Sequence, residues 1–187
     1  MNVASQIVVH TTVHTDDLAA TILGTLGVVL ALGSLAWQAF TFFSSGSRIK
    51  VVLRAGATDG LRVVTTAGAP SGSHVSQLQS QGLTQPVYGI EVLNSGRGPT
   101  SIQSVDVLFD NGAVYTGAYV AGSPTLPCRM EGESEKTWLV DATYIDSYAK
   151  GFHQYGNPPG QPQVVRGQVK LGGKKRPVVS KNEIQVL

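Results

Sequence analysis

The feature that most constrains this chain is an uncharged stretch near its N-terminus. No Asp, Glu, Lys or Arg occurs between Leu18 and Ser47, and positions 18–43 form a run of 26 predominantly apolar residues. About 20 apolar residues suffice for a helix to cross the hydrocarbon core of a bilayer. We therefore predict a transmembrane helix over 18–43, preceded by a short polar tail over 1–17 and followed by a domain over 44–187.

Two other interpretations of the apolar run fit the sequence less well. A cleaved secretory signal would carry a cationic segment before a shorter apolar core. Here Asp16 and Asp17 precede the run, and no Lys or Arg occurs before Arg48. A buried helix of a soluble protein would show a polar face, which so long an uncharged run lacks. The run is therefore interpreted as a membrane span.

The residues that end and follow the run predict its direction. Aromatic rings favour the membrane interface, and four of them end the run: Trp37, Phe40, Phe42 and Phe43. Three cations then follow, Arg48, Lys50 and Arg54, whereas none precedes the run. The positive-inside rule predicts an N-terminus outside the cell membrane and a C-terminal domain in the cytosol. Large domains can be translocated across the membrane despite such a charge bias. The opposite topology, with the C-terminal domain outside the cell membrane, is therefore kept as an alternative.

Small residues within the run predict how two copies of the helix could associate. Ala20 with Gly24, and Gly27 with Ala31, form small-xxx-small pairs that let helices approach closely. Gly and Ala are also common in spans that do not associate. Homo-oligomerisation through the helix is therefore a hypothesis, with a monomeric span as its alternative.

The remainder of the chain has the composition and periodicity of a mainly β domain. The chain contains 22 glycines and 9 prolines, spread among many Val and Thr residues. Tyr88, Ile90 and Val92 alternate with their neighbours, which predicts a strand with one buried face. Val105, Val107 and Phe109 form the next predicted inward row. About seven short strands without a helical repeat predict an antiparallel β-sandwich.

Two segments of this domain differ from the strands around them. Residues 67–85 are rich in Ser, Gly and Gln, which predicts a long exposed loop. Residues 164–181 predict a hairpin that turns at Gly172 and Gly173. Five of its cations are candidates for contact with anionic lipid or with a protein partner: Arg166, Lys170, Lys174, Lys175 and Arg176. A solvated edge hairpin would carry the same charges. Nucleic acid is disfavoured as a partner because no basic helix or aromatic stacking platform accompanies them.

The segments "GIEVLNSGRGPTSIQSVDVLFDNG" and "LPCRMEGESEKTWLV" carry a pattern of strands separated by Asn- and Gly-containing turns. This pattern resembles that of immunoglobulin-like accessory domains, including adhesion-type modules of bacterial surface proteins. The whole chain also resembles uncharacterised single-span membrane proteins of actinobacteria and their phages. The resemblance implies an immunoglobulin-like sandwich with a binding or spacing role, and it carries over no catalytic residue. An adhesion-type module would normally lie outside the cell, whereas the positive-inside rule predicts a cytosolic domain.

No motif in the sequence predicts an enzyme, a metal or a cofactor. The chain contains no nucleophile elbow, phosphate-cradling loop or H-E-x-x-H motif. His10 and His14 are four residues apart, but a closed metal site needs more ligands in fixed geometry. Cys128, the single cysteine, excludes an internal disulfide and lacks the surroundings of a catalytic cysteine that would pair with His153.

Three functional hypotheses remain. The first is a non-enzymatic, membrane-anchored domain that binds or positions a protein partner. The second is a structural component of an envelope or virion assembly. The third is a ligand-binding or hydrolytic module, with a cleft between the 67–85 loop and the acidic turn Glu131–Glu135. Its convergent polar groups would be residues such as His74, Glu133 and His153. We favour the first because an anchor and a short linker precede a domain without a recognisable catalytic site.

Overall fold

The structure is a computed structural model and describes residues 13–68, 72–117, 119–155 and 163–186. It consists of two compact units, Met1–Ser45 and Gly46–Leu187. The first unit contains a single described helix, and the second is a mainly β domain with antiparallel sheets.

The helix of the first unit, α1, spans Val13–Ser44. Within it, the 26 residues of Leu18–Phe43 form an apolar stretch whose side chains are all exposed. At about 1.5 Å per residue this stretch is about 39 Å long, which exceeds the roughly 30 Å of a bilayer core. The prediction of an N-terminal helix long and apolar enough to span a membrane is confirmed. The helix begins earlier than predicted, inside the segment 1–17.

The second unit contains ten described strands and two described helices. In chain order they are β1 (Ile49–Thr58), β2 (Val63–Ala67), α2 (Gly72–Ser80), β3 (Gln85–Asn94), β4 (Thr100–Phe109), β5 (Val114–Tyr115), β6 (Cys128–Met130), β7 (Ser134–Asp141), α3 (Ala142–Tyr155), β8 (Gln163–Leu171), β9 (Val178–Val179) and β10 (Ile184–Val186). All pairings between these strands are antiparallel.

The strands form two sheets. The first has the order β2-β1-β3-β7, and the second has the order β10-β8-β4-β5. In the second sheet β9 lies along the same edge of β8 as β10, and β6 lies along the same edge of β4 as β5. Each sheet is therefore four strands wide.

One hydrophobic core receives side chains from both sheets. Trp138 of β7 is fully buried in it, and its indole N–H donates to the carbonyl oxygen of Pro124 at 2.9 Å. The inward row predicted at Val105, Val107 and Phe109 is confirmed, since all three side chains are buried. The rest of the core is mainly Val, Leu and Ile from β1, β3, β8 and β10.

Strand β3 differs from its prediction because both of its faces are buried. Tyr88, Ile90 and Val92 belong to the core, as the alternation predicts. Glu91, on the other face, is also buried and forms an ion pair with Arg54 of β1. The hydrogen bond from Arg54 to Glu91 raises the pKa of Arg54 above its usual range. Glu91 can therefore be charged on a buried face of the sheet, because the oppositely charged Arg54 is on the adjacent strand.

The segment 67–85 differs from its prediction because helix α2 lies within it. Leu78 at the end of α2 and Leu83 beyond it are buried together with Ala57 of β1. The prediction of a long exposed loop is therefore wrong for this part of the chain. The helix was not predicted because the segment is mostly polar. Its buried contacts come from two leucines, which are too few to produce a recognisable helical pattern.

Candidate functional site

The proximal end of the β domain is the end at which the chain enters it, at Arg48. Asn94 is fully buried there. Its Oδ1 accepts hydrogen bonds from the backbone N–H groups of Arg48 and Gly96, both at 3.1 Å. Its Nδ2 donates to the carbonyl oxygens of Gly98 at 2.8 Å and Glu131 at 2.9 Å. One side-chain amide therefore joins the first residues of the domain to the β3–β4 turn and the β6–β7 turn.

The turn that follows β8, residues 172–177, lies at the same proximal end. The N–H of Gly172 donates to the carbonyl oxygen of Ser101 at 2.8 Å. Ser101 is in turn paired with Arg129 of β6, beside the β6–β7 turn. Three consecutive cations of this turn are exposed: Lys174, Lys175 and Arg176.

The distal end is the opposite one, where β1, β4 and β7 end and β8 begins, and its charge differs from that of the proximal end. The proximal segments carry nine cations and three anions: Arg48, Lys50, Arg97, Arg129, Lys136, Lys170, Lys174, Lys175 and Arg176, with Glu131, Glu133 and Glu135. The distal segments are 58–63, 108–116, 141–150, 163–166 and 183–186. They carry three cations and five anions: Arg62, Lys150 and Arg166, with Asp59, Asp110, Asp141, Asp146 and Glu183. Of the nine proximal cations, Lys136 is half-buried and the rest are exposed. The domain is thus basic where the chain enters it and weakly acidic at the far end.

The five cations predicted as a lipid or partner contact do not form one surface. Arg166 lies toward the distal end, opposite Leu108 of β4, and forms an ion pair with Glu183 at 2.6 Å. The other four lie at the proximal end: Lys170, Lys174, Lys175 and Arg176. Arg166 therefore has to be removed from the predicted set.

The cleft that the third hypothesis requires is not formed by the described residues. His74 is in α2, whose buried residues pack beside Ala57 toward the distal end. Glu133 lies at the proximal end, in the turn before β7, and its N–H donates to the carbonyl oxygen of Gly96. Ten-residue strands of about 33 Å separate the two ends. The side chains of His14 and His153, and the whole of His10, lie outside the described part of the chain.

The remaining predicted candidates do not assemble into a chemical site. Cys128 is a free, half-buried cysteine in β6. Glu131 forms an ion pair with Arg129 at 2.8 Å, and both side chains are mostly exposed. Within residues 13–68, 72–117, 119–155 and 163–186, no group of three or more His, Cys, Asp or Glu side chains could hold a metal ion.

The small residues predicted to mediate helix association are exposed on α1: Ala20, Gly24, Gly27 and Ala31. A Cβ atom added at Gly24 or Gly27 would meet nothing within 4 Å. Nothing within the first unit therefore covers these small residues. Association of two helices through them stays a prediction.

A surface that the sequence did not predict lies at the distal end. Tyr115 of β5 and Tyr148 of α3 contact each other edge to face, with ring centroids 5.2 Å apart. With Phe109 and Val114 they line an open cleft of about 190 Å³. Tyr144, one helical turn before Tyr148, is 57% exposed, and Tyr148 is 52% exposed. We call Val114, Tyr115, Tyr144 and Tyr148 the tyrosine surface.

Asp141, which immediately precedes α3, lies beside Tyr115 of the tyrosine surface, whereas Asp146 of α3 lies beside Tyr88. Asp141 caps α3: its Oδ1 accepts the N–H of Thr143 at 2.8 Å, and its Oδ2 accepts a hydrogen bond from Gln85 at 3.0 Å. Burial opposes ionisation of Asp141, but these hydrogen bonds outweigh burial and hold its pKa below the usual range. Asp146 accepts a hydrogen bond from the Tyr88 hydroxyl at 3.3 Å, and burial raises the pKa of Asp146.

The hydroxyl of Tyr115, like that of any tyrosine with an ordinary or raised pKa, is protonated at neutral pH. Burial raises the pKa of Tyr115 above its usual range, and the neighbouring Tyr148, Tyr144 and Asp141 raise it further. A protonated phenol both donates and accepts hydrogen bonds. The tyrosine surface therefore offers aromatic area together with hydrogen-bonding groups.

Comparison with protein-family models finds no matching family, and comparison with curated proteins finds no significant match. The class of this chain is therefore defined by its own structure. It has one N-terminal helix long and apolar enough to span a membrane, followed by a mainly β domain of antiparallel sheets.

Proposed function

We propose that this chain is a non-enzymatic, single-span membrane protein whose β domain binds a protein partner through the tyrosine surface. The observation that carries the proposal is the cluster of tyrosines at the distal cleft, of which Tyr144 and Tyr148 are exposed and Tyr115 is half-buried. Tyrosine is enriched at protein interfaces because its ring buries a large apolar area while its hydroxyl still forms hydrogen bonds. Such residues also supply much of the binding free energy where they have been measured.

The position of the domain in the cell is the second part of the proposal. Helix α1 would serve as the anchor, and Arg48, Lys50 and Arg54 after it favour a cytosolic domain by the positive-inside rule. Only residues 45–48 separate the end of α1 from the start of β1 along the chain. The domain therefore begins within four residues of the anchor along the chain, and the tyrosine surface lies at the end of the domain opposite to that entry point.

The strand order supports an immunoglobulin-like fold as the third part of the proposal. In immunoglobulin-like domains, strands A, B and E pair in one sheet, and strands C, F and G pair in the other. The order β1-β3-β7 corresponds to A-B-E, and β4, β8 and the β9–β10 edge correspond to C, F and G. The resemblance to adhesion-type modules and to single-span proteins of actinobacteria and their phages agrees with this assignment.

The partner site can be tested by photo-crosslinking in cells that express the full chain. We expect a photoreactive amino acid at Tyr148 to form a discrete adduct of defined mass. The same amino acid at Gln103, an exposed position near the proximal end, serves as the matched control and should form none. Tyr115→Ala should weaken the adduct at position 148, because truncation of an interface tyrosine costs about 2 kcal/mol, or roughly 30-fold in affinity.

Two outcomes of the crosslinking would contradict the proposal. One is the absence of an adduct at position 148. The other is an equal yield at positions 148 and 103, which would indicate chance collisions with neighbouring proteins. An undiminished adduct yield at position 148 after Tyr115→Ala would show that Tyr115 does not contribute to the binding.

A further inference from the structure

We propose that the proximal end of the β domain docks on the anionic lipid headgroups of the membrane that α1 spans. This inference rests on the proposed membrane anchoring and is independent of the tyrosine surface. Its basis is the excess of cations at the proximal end, nine against three anions. Anionic lipids in the cytoplasmic leaflet attract such clusters within about a Debye length of the surface.

The fold assembles this basic surface from segments that are distant in sequence. Arg48 begins the domain, Arg97 is in the β3–β4 turn, Arg129 is in β6, and the three cations of the 172–177 turn follow β8. The hydrogen bonds of Asn94 hold the first residues and two of the turns together, and the bond from Gly172 to Ser101 adds the basic turn. The cations are therefore placed by backbone contacts in the folded domain.

Two glycines show how closely these segments approach one another. A Cβ atom at Gly96 would lie 2.1 Å from the carbonyl oxygen of Gly46. A Cβ atom at Gly132 would lie 2.2 Å from the carbonyl oxygen of Arg97. Both distances are too short for any side chain, so the turns pack backbone against backbone. The backbone that carries the cations is therefore already ordered before binding, so the entropy lost on binding comes mainly from the cationic side chains.

The composition of the proximal end favours lipid over a macromolecular partner. Its segments, 46–50, 94–102, 128–136 and 170–178, contain no Phe, Tyr or Trp. Single-stranded nucleic acid binds through aromatic stacking as well as charge, and the residues that dominate protein interfaces are enriched in Trp and Tyr as well as Arg. A headgroup layer requires only positive charge at short range. The aromatic residues of the tyrosine surface lie at the distal end instead.

The test places a fluorescent label at each end of the full chain in lipid nanodiscs. Pro177→Cys puts the label beside the three cations of the basic turn without removing a charge, in a Cys128→Ser background. Leu61→Cys, at a distal position that is 96% exposed, is the matched control. Contact is measured as quenching by a spin-labelled headgroup, in neutral discs and in discs with about one-third anionic lipid.

We expect the label at position 177 to be quenched at least about twofold more strongly in anionic discs than in neutral ones. The difference should disappear in about 1 M salt, where the Debye length falls to about 3 Å. It should also disappear in the variant Lys174→Glu, Lys175→Glu, Arg176→Glu. The label at position 61 should not respond to lipid charge.

Equal quenching at position 177 in neutral and anionic discs would overturn the inference. The short connection to α1 alone would then explain why the label lies close to the headgroups. Stronger quenching at position 61 than at position 177 would overturn it as well, since the distal end would then face the lipid. A chain that does not co-purify with nanodiscs of either composition would instead contradict the membrane anchoring, which separates the two failures.

Discussion

Replacing Asn94 with Ala should lower the free energy of unfolding of the β domain by about 4 kcal/mol. The Asn94 side chain is fully buried, and its amide makes four hydrogen bonds to backbone groups of Arg48, Gly96, Gly98 and Glu131. Truncation leaves four backbone groups without that partner. Each buried unpaired group costs about 1–3 kcal/mol, and water reaching this end of the domain would offset part of the loss.

Urea unfolding of the full chain in detergent would measure this effect. Trp138 is the only tryptophan after the helix, so its fluorescence reports on the domain once Trp37 is replaced with Phe. Asn111→Ala is the matched control, because Asn111 is exposed and its Oδ1 accepts a single backbone hydrogen bond, from Ala113 at 2.9 Å. The control should cost about 1 kcal/mol or less. A loss for Asn94→Ala no larger than that of the control would contradict the role given to Asn94.

Replacing Asn182 with Ala should destabilise the domain by about 3 kcal/mol, because it removes a bridge between the two sheets. Asn182 lies between β9 and β10, and its Oδ1 accepts the N–H of Leu53 in β1 at 3.0 Å. Its Nδ2 donates to the carbonyl oxygen of the same residue. β2 pairs with β1 only from Ala55 onward, so Leu53 lies on an edge that the asparagine covers.

Amide hydrogen exchange provides a readout specific to this bridge. In Asn182→Ala the N–H of Leu53 should exchange faster than it does in the unsubstituted protein. The N–H groups of β4, which is paired with strands on both sides, should be affected less. Lys181→Ala changes the exposed preceding residue and should leave both stability and exchange unaltered. Unchanged exchange at Leu53 in Asn182→Ala would show that the edge is covered by other means.

The elements that local sequence patterns determine were predictable. A run of 26 apolar residues can be recognised directly because length and composition decide whether a helix can span a bilayer. The inward row at Val105, Val107 and Phe109 was also predictable because strand side chains alternate. Helix α2 was not, because its buried contacts depend on Ala57, a residue far from it in sequence.

The two proposed surfaces depend on tertiary contacts that no local pattern contains. Tyr115 and Tyr148 come together because β5 and α3 both lie at the distal end. The spacing of Tyr144 and Tyr148 was a usable signal, since residues four apart share a helix face, but their contact with Tyr115, about 30 residues earlier in the chain, was not. Arg166 shows the opposite error, because its proximity in sequence to Lys170 suggested a grouping that the strand direction separates.

The most direct test of the central claim, a β domain held in the cytosol by α1, is the topology of the full chain. Two C-terminal reporters should be compared in cells: a fluorescent protein that folds in the cytosol, and a phosphatase that is active only outside it. We expect fluorescence without phosphatase activity, in a membrane fraction that resists alkaline carbonate extraction. Phosphatase activity without fluorescence, or release of the chain by carbonate, would contradict it.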